Sequence, residues 1–330
     1  MKAVVYTDYG SPDVLQCKEV ATPTPKDDEV LIKLHATSVN RSDWENLIGK
    51  PLYARIGGLF KPRRHILGSD IAGVVTAVGK NYQQFQPGDE IFGDILTSLG
   101  GFAEYVCVRG GVLARKPAAM SFVEASTIPQ AGVIAFQGIG TKGQVQPGQQ
   151  VLINGAGGGG TFAVQLAKLY GAEVTAVDNG SKLDFLRALG ADHVIDYTRE
   201  DFTKSGKQYD LILDLVAHRP AAAFPQALRP NGRYLFVGGS VATLFQILLL
   251  GPWIKRTTGK HVGLLAVQPN AKDLLQITEL CTAGKITPVI DRTYPLAQVP
   301  EALRYLGEGR AQGKLVITIA TPLVSANDQA

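Results

Sequence analysis

The sequence has 330 residues, of which 45% are apolar and 19% are charged, and its formal net charge is +4. This length suggests about two domains and a large buried core. The positive charge is spread along the chain, and its densest cluster, Lys61–His65, is short and lacks interleaved aromatic residues, so we expect no nucleic-acid partner. Cys17, Cys107 and Cys281 form no C-x-x-C pair, which argues against a disulfide framework and favours a reducing, cytoplasmic location. The N-terminus contains no hydrophobic run long enough for a signal peptide.

Short apolar segments, separated by glycine and proline turns, fill the first part of the chain. The alternation of apolar and polar residues predicts strands, and the scarcity of helical patterns indicates a β-rich first domain. The predicted strands are Lys2–Tyr6, Glu29–Ser38, Ser69–Val78, Ile91–Phe92 and Gly101–Val108.

The pattern changes near Ser121, where helices begin to alternate with apolar strand segments. This alternation predicts a parallel sheet with helices on its faces, and Ser181 is expected to cap one of these helices. The segments within 287–319 resemble the first part again, and about ten polar residues at the C-terminus are predicted to be loose. The predicted helices are Phe122–Ile128, Ala131–Gly138, Thr161–Tyr170, Lys182–Leu189 and Asn270–Ala283, and the predicted strands are Val151–Asn154, Glu173–Val177, His193–Asp196, Leu211–Leu215, Tyr234–Val237 and His261–Val267.

The segment from Val151 to Asp178 carries the clearest functional signal. A predicted strand is followed by glycines in G-x-G-x-x-G spacing, a helix, a second strand and a terminal acid. The first glycine permits a sharp turn, the second lets the backbone approach a pyrophosphate, and the third lets the helix pack against the strand. This context favours a dinucleotide site over a glycine loop without a ligand, with phosphates at the helix N-terminus. The residues predicted to bind them are Gly155, Gly157, Gly158, Gly159, Gly160 and Thr161.

Longer motifs occur along nearly the whole chain: A-T-S-V-N-R-S-D-W at 36–44, L-G-S-D-I-A-G-V-V at 67–75, Q-P-G-D-E-I-F-G at 86–93 and V-Q-P-G-Q-Q-V-L-I-N-G-A-G at 145–157. In these motifs the chain resembles the medium-chain dehydrogenase/reductase superfamily, in its zinc-independent quinone oxidoreductase-like branch. The resemblance implies an α/β fold, with a GroES-like β-rich catalytic domain at 1–124 and 269–330 and a Rossmann doubly wound parallel sheet at 125–268. It also implies an active site in the cleft between them and a homo-oligomer, expected to be a dimer.

The resemblance also separates this chain from the zinc-dependent alcohol dehydrogenases of the same superfamily. Those enzymes carry a cysteine where this chain has Asn40, a His-Glu pair where it has Ser69 and Asp70, and a third ligand near Gln130. Catalytic zinc requires three Cys, His or carboxylate ligands, and these residues do not form such a set. We therefore expect no metal, and zinc-dependent alcohol oxidation is the disfavoured alternative.

Without a metal, a nicotinamide coenzyme carries the hydride, and the protein supplies orientation and electrostatics. By resemblance, Asn40 and Asp43 lie near the nicotinamide and the substrate, although both residues are also typical of a turn after a strand. Tyr53 is a candidate proton donor, and an ordinary partly buried tyrosine is the alternative. The residues expected to line the nicotinamide end are Gln130, Val133, Gly238, Gly239, Ser240 and Lys314. Helix packing is the alternative for the first two of these, and an exposed lysine for the last.

The adenosine end of the coenzyme is assigned to Asp178, Asn179, Lys182 and Tyr197. Asp178 can accept hydrogen bonds from the ribose hydroxyls, which favours NAD(H), and its charge repels a 2′-phosphate. Lys182 and Tyr197 match positions that contact this phosphate in NADPH-using relatives, and Lys182 offsets the repulsion if Asp178 turns away. We therefore expect NADP(H) to be favoured and NAD(H) to be tolerated.

Alternatives stay open for the apolar stretch Leu244–Ile254 and for the function. The apolar stretch Leu244–Ile254 is about half the length of a membrane span; a lid or oligomer surface beside the cleft is favoured, and contact with a membrane surface is disfavoured. For the function, the sequence predicts a metal-free NAD(P)H-dependent reductase of quinones or α,β-unsaturated carbonyls. The alternative from another class is a coenzyme-binding scaffold or regulator with little turnover.

Overall fold

The computed structural model describes residues 1–56 and 58–319, so the C-terminal residues predicted to be loose lie outside the described part. The described strands form a seven-stranded sheet, a six-stranded sheet and a two-stranded ribbon. The strands are β1 (Lys2–Val5), β2 (Gln16–Glu19), β3 (Glu29–Val39), β4 (Asp70–Val78), β5 (Glu90–Asp94), β6 (Tyr105–Arg109), β7 (Leu113–Arg115), β8 (Gln150–Asn154), β9 (Glu173–Asp178), β10 (His193–Asp196), β11 (Tyr209–Asp214), β12 (Leu228–Phe236), β13 (His261–Leu264), β14 (Ile290–Pro295) and β15 (Lys314–Thr318). The helices are α1 (Arg41–Ile48), α2 (Phe122–Thr127), α3 (Pro129–Ala135), α4 (Gly158–Leu169), α5 (Leu183–Ala188), α6 (Val241–Thr258), α7 (Ala271–Thr282) and α8 (Val299–Gly307).

The seven-stranded sheet combines strands from both ends of the chain. Its order is β14-β15-β3-β4-β5-β7, and β6 also pairs with β3. β15 pairs antiparallel with the carboxyl end of β3, with Leu315 opposite Val39. On the other side of β3, β4 places Asp70 opposite Ser38. This register brings three distant segments together where β3 ends and α1 begins.

The six-stranded sheet is parallel throughout, with the order β10-β9-β8-β11-β12-β13. The predicted parallel sheet is therefore confirmed, with His261–Leu264 as its last strand. The strand order reverses at β8, which has β9 on one side and β11 on the other. Ligands of doubly wound sheets bind beyond the carboxyl ends of the strands at such a switch point. The glycine loop follows β8 and therefore lies at this point.

The predicted start of one helix and the predicted cap of another are wrong. α4 begins at Gly158, before the predicted Thr161, because Gly157 takes the N-cap position and glycines form the first turn. Ser181 does not cap α5. Instead, the Asn179 side chain accepts the N–H of Ser181 at 3.1 Å, and a short 3-10 turn precedes the helix.

Two further boundaries differ from the prediction. The strand predicted from Gly101 begins only at Tyr105, since the Gly101 N–H donates to the Gly68 carbonyl at 3.0 Å instead of pairing with β3. The helix predicted over 131–138 ends at Ala135 and continues as a wider π-turn over Phe136–Thr141.

One buried cluster joins the two sheets. It includes Ala72 and Phe92 of the seven-stranded sheet, Val151 and Leu213 of the six-stranded sheet, and Ile277 of α7. A close-packed core shared in this way fixes the relative position of the sheet edges that border the cleft. Among the described helices, none combines the length and apolarity needed to cross a bilayer.

Candidate active site

The glycine loop after β8 forms a cradle of bare backbone. Gly155 has a φ of +88°, and a Cβ there would lie 2.8 Å from Val216. A Cβ on Gly160 would lie 2.5 Å from the Gly155 carbonyl oxygen, so this glycine permits the close approach of α4 to the loop. A Cβ on Gly157 would meet only the Ala311 carbonyl oxygen, at 3.7 Å. The open space beside Gly157 and the free N–H groups of the first turn suit a diphosphate.

The remaining residues of the predicted loop differ in their surroundings. A Cβ on Gly158 would lie 3.3 Å from the Lys314 side chain, and one on Gly159 would lie 3.4 Å from Leu215. Thr161 is fully buried, and its hydroxyl donates to the Gly158 carbonyl at 2.8 Å. Its side chain is therefore used within α4, and a phosphate contact of Thr161 stays a prediction.

The predicted adenosine end lies beyond β9. Asp178 accepts the N–H of Asn179 at 2.8 Å and pairs with the Lys182 ammonium at 3.2 Å, and both charged side chains are buried. The Asp178 side chain is thus not turned away, as the sequence argument required; instead, the Lys182 ammonium neutralises the charge of its carboxylate. Tyr197 is exposed, and its N–H donates to the Asp178 carbonyl at 3.1 Å. Asp178, Lys182 and Tyr197 thus lie together at the end of β9, and their contacts with the adenosine end of the coenzyme stay predictions.

A buried polar network surrounds the start of α1. The Asn40 amide donates to Asp70 Oδ2 at 2.8 Å and to Ser69 Oγ at 3.0 Å. Its oxygen accepts the ammonium of Lys314, which also lies 3.4 Å from Asp70 Oδ2. Because β15 flanks the end of β3, Lys314 lies between the glycine loop and Asn40. Its side chain is buried, so the alternative interpretation of Lys314 as an exposed surface lysine is wrong.

Asp43 belongs to the same network. Its carboxylate accepts the N–H of Asn40 at 2.8 Å and that of Gly68 at 3.1 Å, and Ser69 Oγ lies 3.3 Å away. Burial raises the pKa of Asp43 to about 7. Through its hydrogen bond to the Asn40 N–H, Asp43 caps α1 and fixes the position of Asn40. The side chain is fully buried, so direct contact with a substrate stays a prediction.

Gln130 and Val133 lie on α3 in different environments. Gln130 donates its N–H to Asp70 Oδ1 at 2.9 Å, and its side-chain oxygen accepts the hydroxyl of Ser42 at 3.0 Å. Its buried Nε2 has no hydrogen-bond partner among the described residues. An unpaired buried donor is costly, but Gln130 is not among the residues that line the neighbouring cavity, so a contact of this amide with a ligand stays a prediction. Val133 instead packs in the shared core, as in the helix-packing alternative.

A cavity of about 490 Å³ lies beside this network. Gly238 is in its wall, whereas Gly239 forms a tight turn in which a Cβ would lie 2.1 Å from the Ala217 carbonyl. Ser240 Oγ accepts the N–H of Thr243 at 3.0 Å and caps α6. The lining residues are Ser42, Glu45, Asn46, Tyr53, Ala54, Ile56, Leu96, Phe236, Val237, Gly238, Leu244, Leu264, Leu265 and Ala266. A second hollow of about 610 Å³, near Tyr170, contains none of the predicted site residues.

Tyr53 and Glu45 face each other in the cavity. Burial and the neighbouring Glu45 raise the pKa of Tyr53 to about 12. Burial also raises the pKa of Glu45, which the Arg41 guanidinium, 3.5 Å away, opposes. The sequence reasoning missed Glu45. The available signal was helical spacing, because Ser42, Glu45 and Asn46 follow Asn40 on one face of α1 and all line the cavity.

The residues at the zinc positions of the metal-dependent relatives do not fit catalytic zinc. Of Asn40, Ser69, Asp70 and Gln130, only Asp70 is a usual zinc ligand, and its oxygens already accept four donors. In residues 1–56 and 58–319, no three His, Cys, Asp or Glu side chains are grouped to hold a metal ion. That the protein is zinc-free stays a prediction.

Comparison with known proteins identifies the family. A model described as "Alcohol dehydrogenase GroES-like domain" matches residues 26–118, and one described as "Zinc-binding dehydrogenase" matches residues 189–317. The chain is 35% identical to the 2-methylene-furan-3-one reductase of Solanum lycopersicum, over 96% of this chain and 79% of that protein. It is 32% identical to the chloroplastic NADPH-dependent alkenal/one oxidoreductase of Arabidopsis thaliana, with the same coverage of 96% and 79%.

A solved structure gives the same result. The quinone oxidoreductase from Coxiella burnetii is 29% identical, has a TM-score of 0.86, and is matched over 97% of this chain and 99% of that one. The predicted pairing of a GroES-like domain with a Rossmann-type parallel sheet is therefore confirmed. By sequence and fold, the chain belongs to the medium-chain dehydrogenase/reductase superfamily, in its quinone oxidoreductase-like branch.

Proposed function

We propose that this protein is an NAD(P)H-dependent oxidoreductase that transfers a hydride to a quinone or an α,β-unsaturated carbonyl without zinc. The observation that carries the proposal is the adjacency of the glycine cradle, Lys314 and Asn40, beside a largely apolar cavity. Relatives named as a furanone reductase and an alkenal/one oxidoreductase support the same acceptor class. An apolar lining with a few polar groups suits a conjugated ring.

The residues of the chain would divide the work in the following way. The bound coenzyme supplies the hydride. Asn40, fixed by Asp43 and Asp70, orients the nicotinamide end. Negative charge develops on the acceptor oxygen, and Tyr53, whose pKa of about 12 keeps it protonated near neutrality, holds the proton that neutralises it. The apolar side chains Leu96 and Leu265 exclude water from the cavity.

The proposal includes NADP(H) as the favoured coenzyme, with NAD(H) accepted. The pairing of Lys182 with Asp178 supports this preference, because it removes the net negative charge that would repel a 2′-phosphate. The Arabidopsis relative is named as NADPH-dependent. A relaxed preference also follows, since the Asp178 carboxylate is still able to accept a ribose hydroxyl.

The proposal also covers the organisation of the protein. We assign residues 1–124 and 269–330 to the catalytic domain and 125–268 to the nucleotide-binding domain. A cytoplasmic homodimer is proposed, with no nucleic-acid partner. The free edge of β13 supports self-association, because an exposed sheet edge can pair with the same strand of a second copy.

An acceptor screen tests the proposal. The purified protein is mixed with NADPH or NADH and a panel of quinones and enones, and coenzyme oxidation is followed before and after treatment with a chelator. Turnover on a quinone or enone that survives metal removal is expected. Coenzyme binding without turnover on every acceptor would favour the scaffold function instead, and zinc at one equivalent per chain with chelator-sensitive turnover would restore the zinc-dependent alternative.

A further inference from the structure

The helix α6 is apolar on its outer face. Phe245, Leu248, Leu249 and Trp253 follow helical spacing along this face and are exposed, with Leu249 at 75% and Trp253 at 64%. The opposite face of α6 packs closely against strand β13, because a Cβ on Gly251 would lie 2.4 Å from the Val262 carbonyl oxygen. The outer face is therefore held toward the surroundings by the packing of the inner face.

A second exposed apolar segment borders the same cavity. In the loop after α1, Ile56 is 88% exposed and Phe60 is 84% exposed. Arg55, just before Ile56, donates to the Gly49 carbonyl at 2.9 Å and stacks over the Tyr9 ring. We call the two segments together the cavity-mouth face, because each contributes lining residues to the cavity. Its exposed apolar residues are Leu52, Ile56, Leu59, Phe60, Phe245, Leu248, Leu249 and Trp253.

Both segments of the cavity-mouth face lie in stretches without acidic residues. Neither 46–69 nor 215–272 contains an Asp or Glu, although the chain has 29 of them. The acids at the border are already paired, Asp8 with Lys61 at 3.1 Å and Glu45 with Arg41 at 3.5 Å. Around the apolar face the surplus charge is thus positive. Among the basic residues of these stretches, Lys61, Arg219 and Arg229 are paired with Asp8, Asp201 and Asp210. Those that form no ion pair with a described residue are Lys50, Arg55, Arg63, Arg64, Arg233, Lys255, Arg256, Lys260 and Lys272.

This charge distribution selects the occupant. A second copy meeting the face by two-fold symmetry would place the same cations against each other, which opposes association. An anionic lipid surface complements both features, since apolar side chains enter the interface and Lys or Arg residues attract the headgroups. Tryptophan favours the same depth. The sequence alone favours a lid or oligomer surface for Leu244–Ile254, whereas the second exposed apolar segment beside the same cavity favours a membrane surface.

We propose that the cavity-mouth face docks reversibly on membranes rich in anionic lipid, with the cavity opening toward the bilayer. The helix does not cross the membrane in this arrangement; its outer face lies in the plane of the interface. That a lipid-soluble acceptor enters the cavity from the bilayer rests on the proposed function, whereas the docking itself does not.

Vesicle co-sedimentation of the full-length protein tests the docking. The vesicles contain phosphatidylcholine alone or phosphatidylcholine with phosphatidylglycerol. The protein is expected to pellet with the anionic vesicles, and to be released as salt is raised. Leu249→Asp combined with Trp253→Asp, and separately Lys255→Glu combined with Arg256→Glu, are each expected to lower the partition coefficient about tenfold or more.

Matched substitutions elsewhere control for folding and total charge. Leu275→Asp on the exposed side of α7 and Lys285→Glu after it are expected to leave vesicle binding unchanged. Equal soluble fractions of wild type and of both double variants overturn the proposal, as does a wild type that never pellets. If the apolar variant instead converts a dimer to a monomer without affecting pelleting, the face is a self-association surface. Turnover with a water-soluble quinone is measured in the same preparations. Vesicle binding without turnover would refute the proposed function and leave the docking proposal standing, whereas turnover without vesicle binding would refute only the docking proposal.

Discussion

The side chains of Lys314 and Asp70 form an ion pair of 3.4 Å in which neither group is more than 2% exposed. The two residues begin strands that flank β3 on opposite sides. The lysine places a positive charge near the carboxyl groups of Asp43 and Asp70. The Lys314 ammonium thus offsets part of the free-energy cost of burying these carboxylates.

The Lys314–Asp70 pair is expected to be needed for stability. Lys314→Met leaves the Asp70 carboxylate buried without its cation, and breaking a buried pair in this way costs about 3–5 kcal/mol of unfolding free energy. The double variant Lys314→Met with Asp70→Asn is expected to recover part of that loss. Urea unfolding of the single and double variants measures the coupling. Lys116→Met, which removes a lysine paired with the half-exposed Glu90, is the control, and equal losses for both lysines would contradict the prediction.

The glycine loop was predictable from the sequence because its turn, helix and strands are encoded within one continuous segment. The same is true of the parallel strands, whose apolar runs identify them without knowledge of their neighbours. The position of Lys314 was not predictable in this way, because its partner Asn40 is 274 residues distant and only the pairing of β15 with β3 joins them. Glu45 shows the same limit, since a polar stripe on α1 has no assigned function until a cavity forms beside it.

The space beside Gly157 gives the loop a sharp test. In the free protein a Cβ at this position meets only the Ala311 carbonyl, at 3.7 Å, so Gly157→Ala is expected to change stability by less than about 1 kcal/mol. The same methyl group would occupy the phosphate position, so we expect NADPH affinity to fall about tenfold or more. Fluorescence titration measures the affinity.

Gly160→Ala is the control and should behave in the opposite way. Its Cβ would lie 2.5 Å from the Gly155 carbonyl oxygen, so this variant is expected to lose stability. Unchanged affinity in Gly157→Ala would place the phosphates elsewhere.

Lys182 is expected to set the preference between the two nucleotides. Lys182→Ala leaves Asp178 unpaired and negative, and a negative group beside the ribose repels a 2′-phosphate. The KM for NADPH should rise about tenfold while the KM for NADH changes little. Lys168→Ala, which removes the more exposed Lys168–Asp192 pair from the same domain, controls for a general loss of charge. Parallel increases in both KM values would indicate that Lys182 is structural.

Buried carboxyls give the stability a distinctive pH dependence. Burial, and then the charge of Asp70, raise the pKa of Asp94 from 3.8 to about 7. The folded protein therefore keeps a proton that the unfolded chain loses, and this contribution to stability is complete below about pH 4 and is lost as pH rises to about 7, by at most about 1.4 kcal/mol per pH unit.

Asp94→Asn removes that dependence while it retains an oxygen for the N–H of Leu96, which Asp94 accepts at 2.8 Å. Relative to wild type, the variant should therefore become more stable between pH 5 and pH 8 in urea unfolding. The pKa of Asp89 is lowered by its hydrogen bond to Arg115, so its titration lies below this range, and the difference for Asp89→Asn should stay constant. A constant difference for Asp94→Asn as well would mean that Asp94 is ionised in the folded protein.

Tyr53 is the residue on which the proposed protonation depends. Tyr53→Phe keeps the ring in the cavity and removes only the hydroxyl, so coenzyme affinity should be unchanged while kcat falls about a hundredfold. Since burial and Glu45 raise the pKa of this tyrosine to about 12, it stays protonated through the neutral range, and the wild-type kcat should not fall between pH 7 and pH 9 through its ionisation. Tyr82→Phe is a matched control, because burial raises the pKa of Tyr82 to about 12 as well but Tyr82 lies outside the cavity. If Tyr53→Phe retains more than about half of kcat, solvent delivers the proton and the role assigned to this hydroxyl is wrong.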